Sequence, residues 1–93
     1  GELPKQKSLK YLELLRKAKI YTAESFAHES LKAQLRQADK LEVRYVVIVG
    51  QKEALDDTVI LRDMKASTQE VVSGEKIVEE LKKRLKNDNI NII

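Results

Sequence analysis

The chain has 93 residues, 42% apolar and 35% charged, which suits one soluble domain with a modest core and argues against disorder. With no cysteine it has neither disulfides nor thiolate zinc sites, no apolar run nears the roughly 18 residues of a membrane span, and the N-terminus has no signal-peptide apolar core. Net charge is +3, unevenly placed: residues 1–46 hold ten Lys/Arg against six Asp/Glu, and residues 47–93 hold eight against nine. A mildly basic half is compatible with nucleic-acid binding, and the plainer reading is a solvated helix surface.

Pro4 suits the first turn of a helix, where its missing N–H costs nothing. Leu9, Leu12 and Leu15, with Tyr11 and Ala18, alternate with Lys and Glu, which predicts an amphipathic helix from Pro4 to Ala18. Ile20-Tyr21-Thr22-Ala23 is rich in β-formers and reads as a short strand. Leu31, Leu35, Ala38 and Leu41 share one face of a second helix over Ser30 to Glu42, with Ser25, His28 and Ser30 as candidates near its cap.

Tyr45-Val46-Val47-Ile48-Val49 is five apolar residues without alternation, stopped by Gly50. That pattern predicts a strand covered on both faces, inside an α/β sheet. In such sheets ligands gather beyond the carboxyl ends of parallel strands, so Gly50 to Glu53 is the first place to look for function. Thr58–Met64 and Thr68–Val72 read as strands of an antiparallel hairpin. Ser73 suits an N-cap for the last helix, whose stripe is Ile77, Val78, Leu81 and Leu85, with Lys82, Lys83, Arg84 and Lys86 at its C-terminal end. Asn87-Asp88-Asn89 breaks that helix, and Ile90-Asn91-Ile92-Ile93 is a short apolar tail. The predicted order is α-β-α-β-β-β-α.

Catalytic chemistry is poorly supplied. The chain has no nucleophile elbow and no phosphate-cradling glycine motif. His28 stands without a second ligand in view, and Asp56-Asp57 is better explained by a solvated turn than by a cation. Three features could bind RNA. Glu53 can accept hydrogen bonds from a base edge. Arg62, Met64 and Gln69 belong to the hairpin. Lys32, Arg36 and Lys40 recur at four-residue steps and could track phosphates. The plainer readings are a turn residue, an exposed strand and the wet side of an amphipathic helix.

Ser30–Leu41 fits the pattern S-L-K-x-Q-L-x-x-A-D-K-L without a gap, and Gly50 and Glu53 fit a G-x-x-E step. With Val59–Met64 and Gln69-Glu70, these residues resemble the C-terminal anticodon-binding domain of class II aminoacyl-tRNA synthetases, and the histidyl-tRNA synthetase version most nearly, from about Lys7 to Lys86. The resemblance implies a three-layer α/β domain with a mixed, mostly parallel five-stranded sheet. It implies that the domain grips a tRNA anticodon stem-loop, while a separate domain of a cytoplasmic, homodimeric histidine–tRNA ligase uses ATP and magnesium. No cofactor is implied for the domain itself. Carried over by position, it points to Gln34, Asp39, Glu53, Arg62 and Gln69 as base readers, beside Lys32, Arg36 and Lys40 on phosphates. A second reading is a non-catalytic interaction or dimerisation domain of a synthetase paralogue.

The chain departs from that family at its start. Family domains open with a strand that lies inside the sheet, and Gly1-Glu2-Leu3-Pro4 is too short and polar to supply it. The expectation is a fragment with an inner strand missing. Most chain ends fray, but Ile90–Ile93 is β-branched enough to pair with the sheet edge that the missing strand leaves open.

Overall fold

The computed structural model describes residues 2–20, 22–24, 30–84 and 90–92. The sequence readings that rest on Ser25, His28, Leu85, Lys86, Asn87–Asn89 and Ile93 lie outside the described residues. The elements in order are α1 (Glu2–Lys17), β1 (Thr22–Glu24), α2 (Leu31–Lys40), β2 (Tyr45–Ile48), α3 (Gln51–Asp56), β3 (Thr58–Asp63), β4 (Thr68–Ser73), a 3-10 turn (Gly74–Lys76), α4 (Ile77–Arg84) and β5 (Ile90–Ile92).

The strands form one sheet in the order β1-β5-β2-β3-β4. β5 runs parallel to both β1 and β2, whereas β2–β3 and β3–β4 are antiparallel. The sheet is therefore mixed but not mostly parallel, which corrects the expectation. Half of its pairings are antiparallel, because β2, β3 and β4 follow one another as a meander. The apolar tail expected to pair with a sheet edge does pair: β5 occupies an inner position between β1 and β2, with Ile90 opposite Thr22 on one side and Tyr45 on the other.

β2 is buried along its whole length, as its unbroken apolar run requires. Its alternate side chains feed two cores. Tyr45, Val47 and Val49 join Val59 and Leu61 of β3 with Tyr11, Leu15, Ala54, Ile77 and Leu81, so α1, α3 and α4 cover one face. Val46 and Ile48 join Ala38, Val43, Leu35, Ile60 and Met64, so α2 covers the other. The result is three layers, with three helices on one side and one on the opposite side.

Several predicted faces shift. In α1 the buried residues are Ser8, Tyr11 and Leu15, while Leu9 is 45% exposed. Leu12 packs against the same core, so of the three predicted leucines only Leu9 turns outward. In α2, Leu35 and Ala38 face inward, but Leu31 and Leu41 are exposed and Gln34 is buried. With the helix ending at Lys40, Leu41 falls in the C-cap and leaves the stripe. Ser30 does cap α2, its Oγ accepting from the Ala33 N–H at 3.1 Å. Ser73 makes no side-chain cap bond, because a 3-10 turn intervenes before α4. No helix among the described residues is long and apolar enough to cross a membrane.

Candidate nucleic-acid interface

Side chains directly opposite each other in a ladder share a face of the sheet. Val46, Arg62 and Gln69 form one such row, and Ile48, Ile60 and Val71 form the next. Val46 and Ile48 lie under α2, so both rows project on the α2 side. One helix is too narrow to cover five strands. It spans β2 and reaches Ile60 of β3, but Gln69 and Val71 of β4 remain exposed, Val71 at 67%. The sheet is thus open beside α2, over the hairpin.

Arg62 and Gln69 are joined across that open face. Arg62 Nη1 donates to Gln69 Oε1 at 3.0 Å. Arg62 Nε is buried and has no hydrogen-bond partner among the described residues, a costly state for a cationic donor. Lys32, Arg36 and Lys40 are exposed along α2, and none forms an ion pair among the described residues. Asp39 is exposed at the C-terminal end of α2 and lines a shallow groove of about 440 Å³ with Glu42, Val43, Arg44, Met64 and Lys65.

The hairpin turn at that end is braced by charge. Asp63 accepts from Arg44 Nε at 3.0 Å and from Arg44 Nη2 at 3.2 Å. It also accepts from the backbone N–H groups of Lys65 at 3.0 Å and Ala66 at 3.1 Å. The Arg44 guanidinium holds the Asp63 carboxyl below its usual range, with help from those two backbone donors and against partial desolvation. Arg44 also lies over the Tyr45 ring, 5.2 Å from its centre. Sequence reading passed over this bracket, although Arg44 next to a buried run and Asp63 at a strand end were visible signals.

Seven of the eight candidate residues therefore sit on α2 or on the open face beside it. Glu53 stands apart. It lies in α3, on the opposite side of the sheet and beyond the end of β2 remote from the hairpin turn. Its Oε1 accepts from the Gly50 N–H at 3.0 Å, which satisfies a donor at the start of α3. Gln34 is buried at 8% exposure, so of the proposed readers in α2 only Asp39 is openly presented. No group of three or more His, Asp or Glu side chains that could hold a metal occurs among the described residues.

The family described as Anticodon binding domain matches residues 4–84. The chain belongs to that family. This anticodon binding domain is 35% identical over 85 residues to a histidine–tRNA ligase of Clostridioides difficile, and 38% identical over 85 residues to one of Dehalococcoides mccartyi. Each alignment takes in 91% of the chain and 20% of the relative, so the chain spans about a fifth of the length of the proteins it resembles. A crystal structure of histidyl-tRNA synthetase from Nostoc sp. PCC 7120 superposes with a TM-score of 0.80 at 33% identity, over 85% of this chain and 19% of that one. The anticodon binding domain thus carries the resemblance seen at Ser30–Leu41 and Gly50–Glu53 over most of its length.

Proposed function

We propose that the domain binds the anticodon stem-loop of tRNA-His as part of a histidine–tRNA ligase. The supporting observation is the α2 side of the sheet, where Lys32, Arg36 and Lys40 stand exposed, without an ion pair among the described residues, beside an open face carrying Arg62 and Gln69. The three α2 cations suit phosphates, which position an RNA without reading it; Arg62, Gln69 and Asp39 suit base edges. Histidine activation, with ATP and magnesium, belongs to a catalytic part of a cytoplasmic, dimeric ligase and calls on no residue of this domain.

The test is a titration of a fluorescent tRNA-His anticodon stem-loop at several salt concentrations. Three contacts to a largely single-stranded loop give a slope of log affinity against log salt of about −2. Lys32→Ala should reduce that slope by about 0.7 and leave loop preference intact. Equal affinity for cognate and scrambled loops, with self-association of the protein, would favour an interaction domain instead.

A further inference from the structure

β4 is the outer strand on the hairpin side of the sheet, and two bonds fix which way its backbone groups point. In an antiparallel ladder, opposed residues alternate between pairs that exchange both backbone bonds and pairs whose groups point away from each other. The Gly74 N–H donates to the Asp57 carbonyl at 2.9 Å, one step beyond Ser73 opposite Thr58. Two residues at a time from there toward the turn, Val72, Glu70 and Thr68 are the residues bonded to β3. The Met64 N–H, donating to the Arg44 carbonyl at 2.8 Å, gives the same phase from the far side of β3: Arg62 and Ile60 bond to β2, which leaves Val59, Leu61 and Asp63 for β4. Gln69, Val71 and Ser73 therefore turn their backbone N–H groups outward, where no strand lies among the described residues.

An open edge is ordinarily blunted by shortness, a bulge, proline or charge. The opposite edge is blunted, since β1 has three residues. β4 has six in unbroken register, with no proline or lysine. Its one charged side chain, Glu70, is ion-paired to Arg84 of α4, and Val71 stands 67% exposed. We propose that this edge is a self-association surface: β4 pairs antiparallel with β4 of a second copy of the chain, about a two-fold axis at Val71. The occupant is a second copy because the edge is complementary to itself. Two registers set outward groups against each other and keep five residues of each strand in the ladder. Val71 opposite Val71 places Gln69 opposite Ser73 and Glu70 opposite Val72. The two exposed valines then cover each other, and each Glu70 keeps its own Arg84 across the diagonal from the other. The second register places Gln69 opposite Val71 and sets Glu70 directly against Glu70, a destabilising pair of like charges. Charge thus selects the axis at Val71. The contact belongs to this domain alone and is separate from any made by a catalytic part.

A ladder this short falls among weak associations, those that bury less than about 1,200 Å². Sedimentation equilibrium of the chain from micromolar to millimolar concentration tests it. The mass should climb from one chain to two and level there, since a two-fold interface closes on itself. Val71→Pro removes an N–H that serves no ladder within the chain, a change an edge strand tolerates. It should weaken association about tenfold or more through loss of the central bonds. Val71→Lys leaves the backbone intact and sets two ammonium groups on the axis, so it too should keep the chain monomeric. It decides the matter if circular dichroism shows that the proline variant does not fold. A chain that is monomeric throughout, a mass that rises past two without levelling, or a dimer undiminished in Val71→Lys overturns the proposal. The anticodon-loop titration remains an independent readout, because the ladder engages main-chain groups of β4 and no side chain of α2.

Discussion

Gly74→Ala tests the seam that holds α1 to the rest of the domain. A methyl carbon built on Gly74 would overlap Tyr11 Oη and fall 2.8 Å from Cζ and 2.9 Å from Cε1. Carbon contacts are favourable only from about 3.5 Å, so the ring would have to retreat by roughly 1 Å. It has little room to do so: Tyr11 is 2% exposed and belongs to the larger core. The backbone cannot yield freely either, since the Gly74 N–H donates to the Asp57 carbonyl at 2.9 Å and Asp57 is itself ion-paired to Lys7 of α1. Overpacking of this kind costs about 1–3 kcal/mol. The loss of unfolded-state freedom on replacing glycine works the other way, by about 0.4–1 kcal/mol, and is the smaller effect. A net cost of about 1–2 kcal/mol lowers Tm by roughly 4–16 °C in a domain of this size. Thermal melts followed by circular dichroism measure it. Tyr11→Phe in the Gly74→Ala background removes the nearest clashing atom, so the double variant should recover part of the loss, a coupling of about 0.5–3 kcal/mol. An unchanged Tm for Gly74→Ala, or strict additivity with Tyr11→Phe, would refute the reasoning.

Two further outcomes are expected. Glu53→Ala removes the acceptor at the start of α3 and should cost about 0.5–2 kcal/mol in urea unfolding, whereas Glu53→Gln keeps an acceptor and most of the stability; equal losses would show that the cap contributes nothing. Asp63 has a folded pKa depressed below its ordinary 3.8, so its stabilisation is present above the unfolded value and is lost as pH falls through the folded one. Asp63→Asn should therefore be less stable than wild type at about pH 7, with the gap narrowing steadily below about pH 4; a gap of constant size down to about pH 2 would contradict the charge pairing.

Legibility tracked how much of each element's reason for existing is local. The run Tyr45–Val49 could only be an inner strand, and the hairpin announced itself by two β-rich stretches three residues apart. Ser30 and the pattern behind it located α2 to within two residues. α3 was missed because its six residues are too few for a periodic stripe; only Ala54 is buried, and what starts the helix is a bond from Glu53 back to Gly50. That same bond is why Glu53 looked like a free acceptor in sequence and is engaged in the structure. Leu31 and Leu41 were assigned to the core by spacing alone, which cannot see that one helix on a wide sheet has flanks left uncovered. The α2 cations and the hairpin polar residues were each legible, but their convergence on one side of the sheet depends on ladder register, which no local pattern encodes.

The inner place of β5 has a consequence for how the domain opens. Among the described strands β1 pairs with β5 alone, and β5 bridges it to β2. Release of β5 therefore strips β1 of its whole ladder and exposes one edge of β2, while the β2–β3–β4 meander keeps its own bonds. Proteins open in contiguous cooperative units of unequal stability, and the ladder divides this sheet at the β5–β2 boundary. Closing that boundary joins Tyr45 to Ile90, 45 positions apart in sequence, a loop closure that is slow and entropically costly compared with zipping the hairpin. The hairpin side, which carries Arg62 and Gln69, can thus stay formed through fluctuations that undo the other half of the sheet.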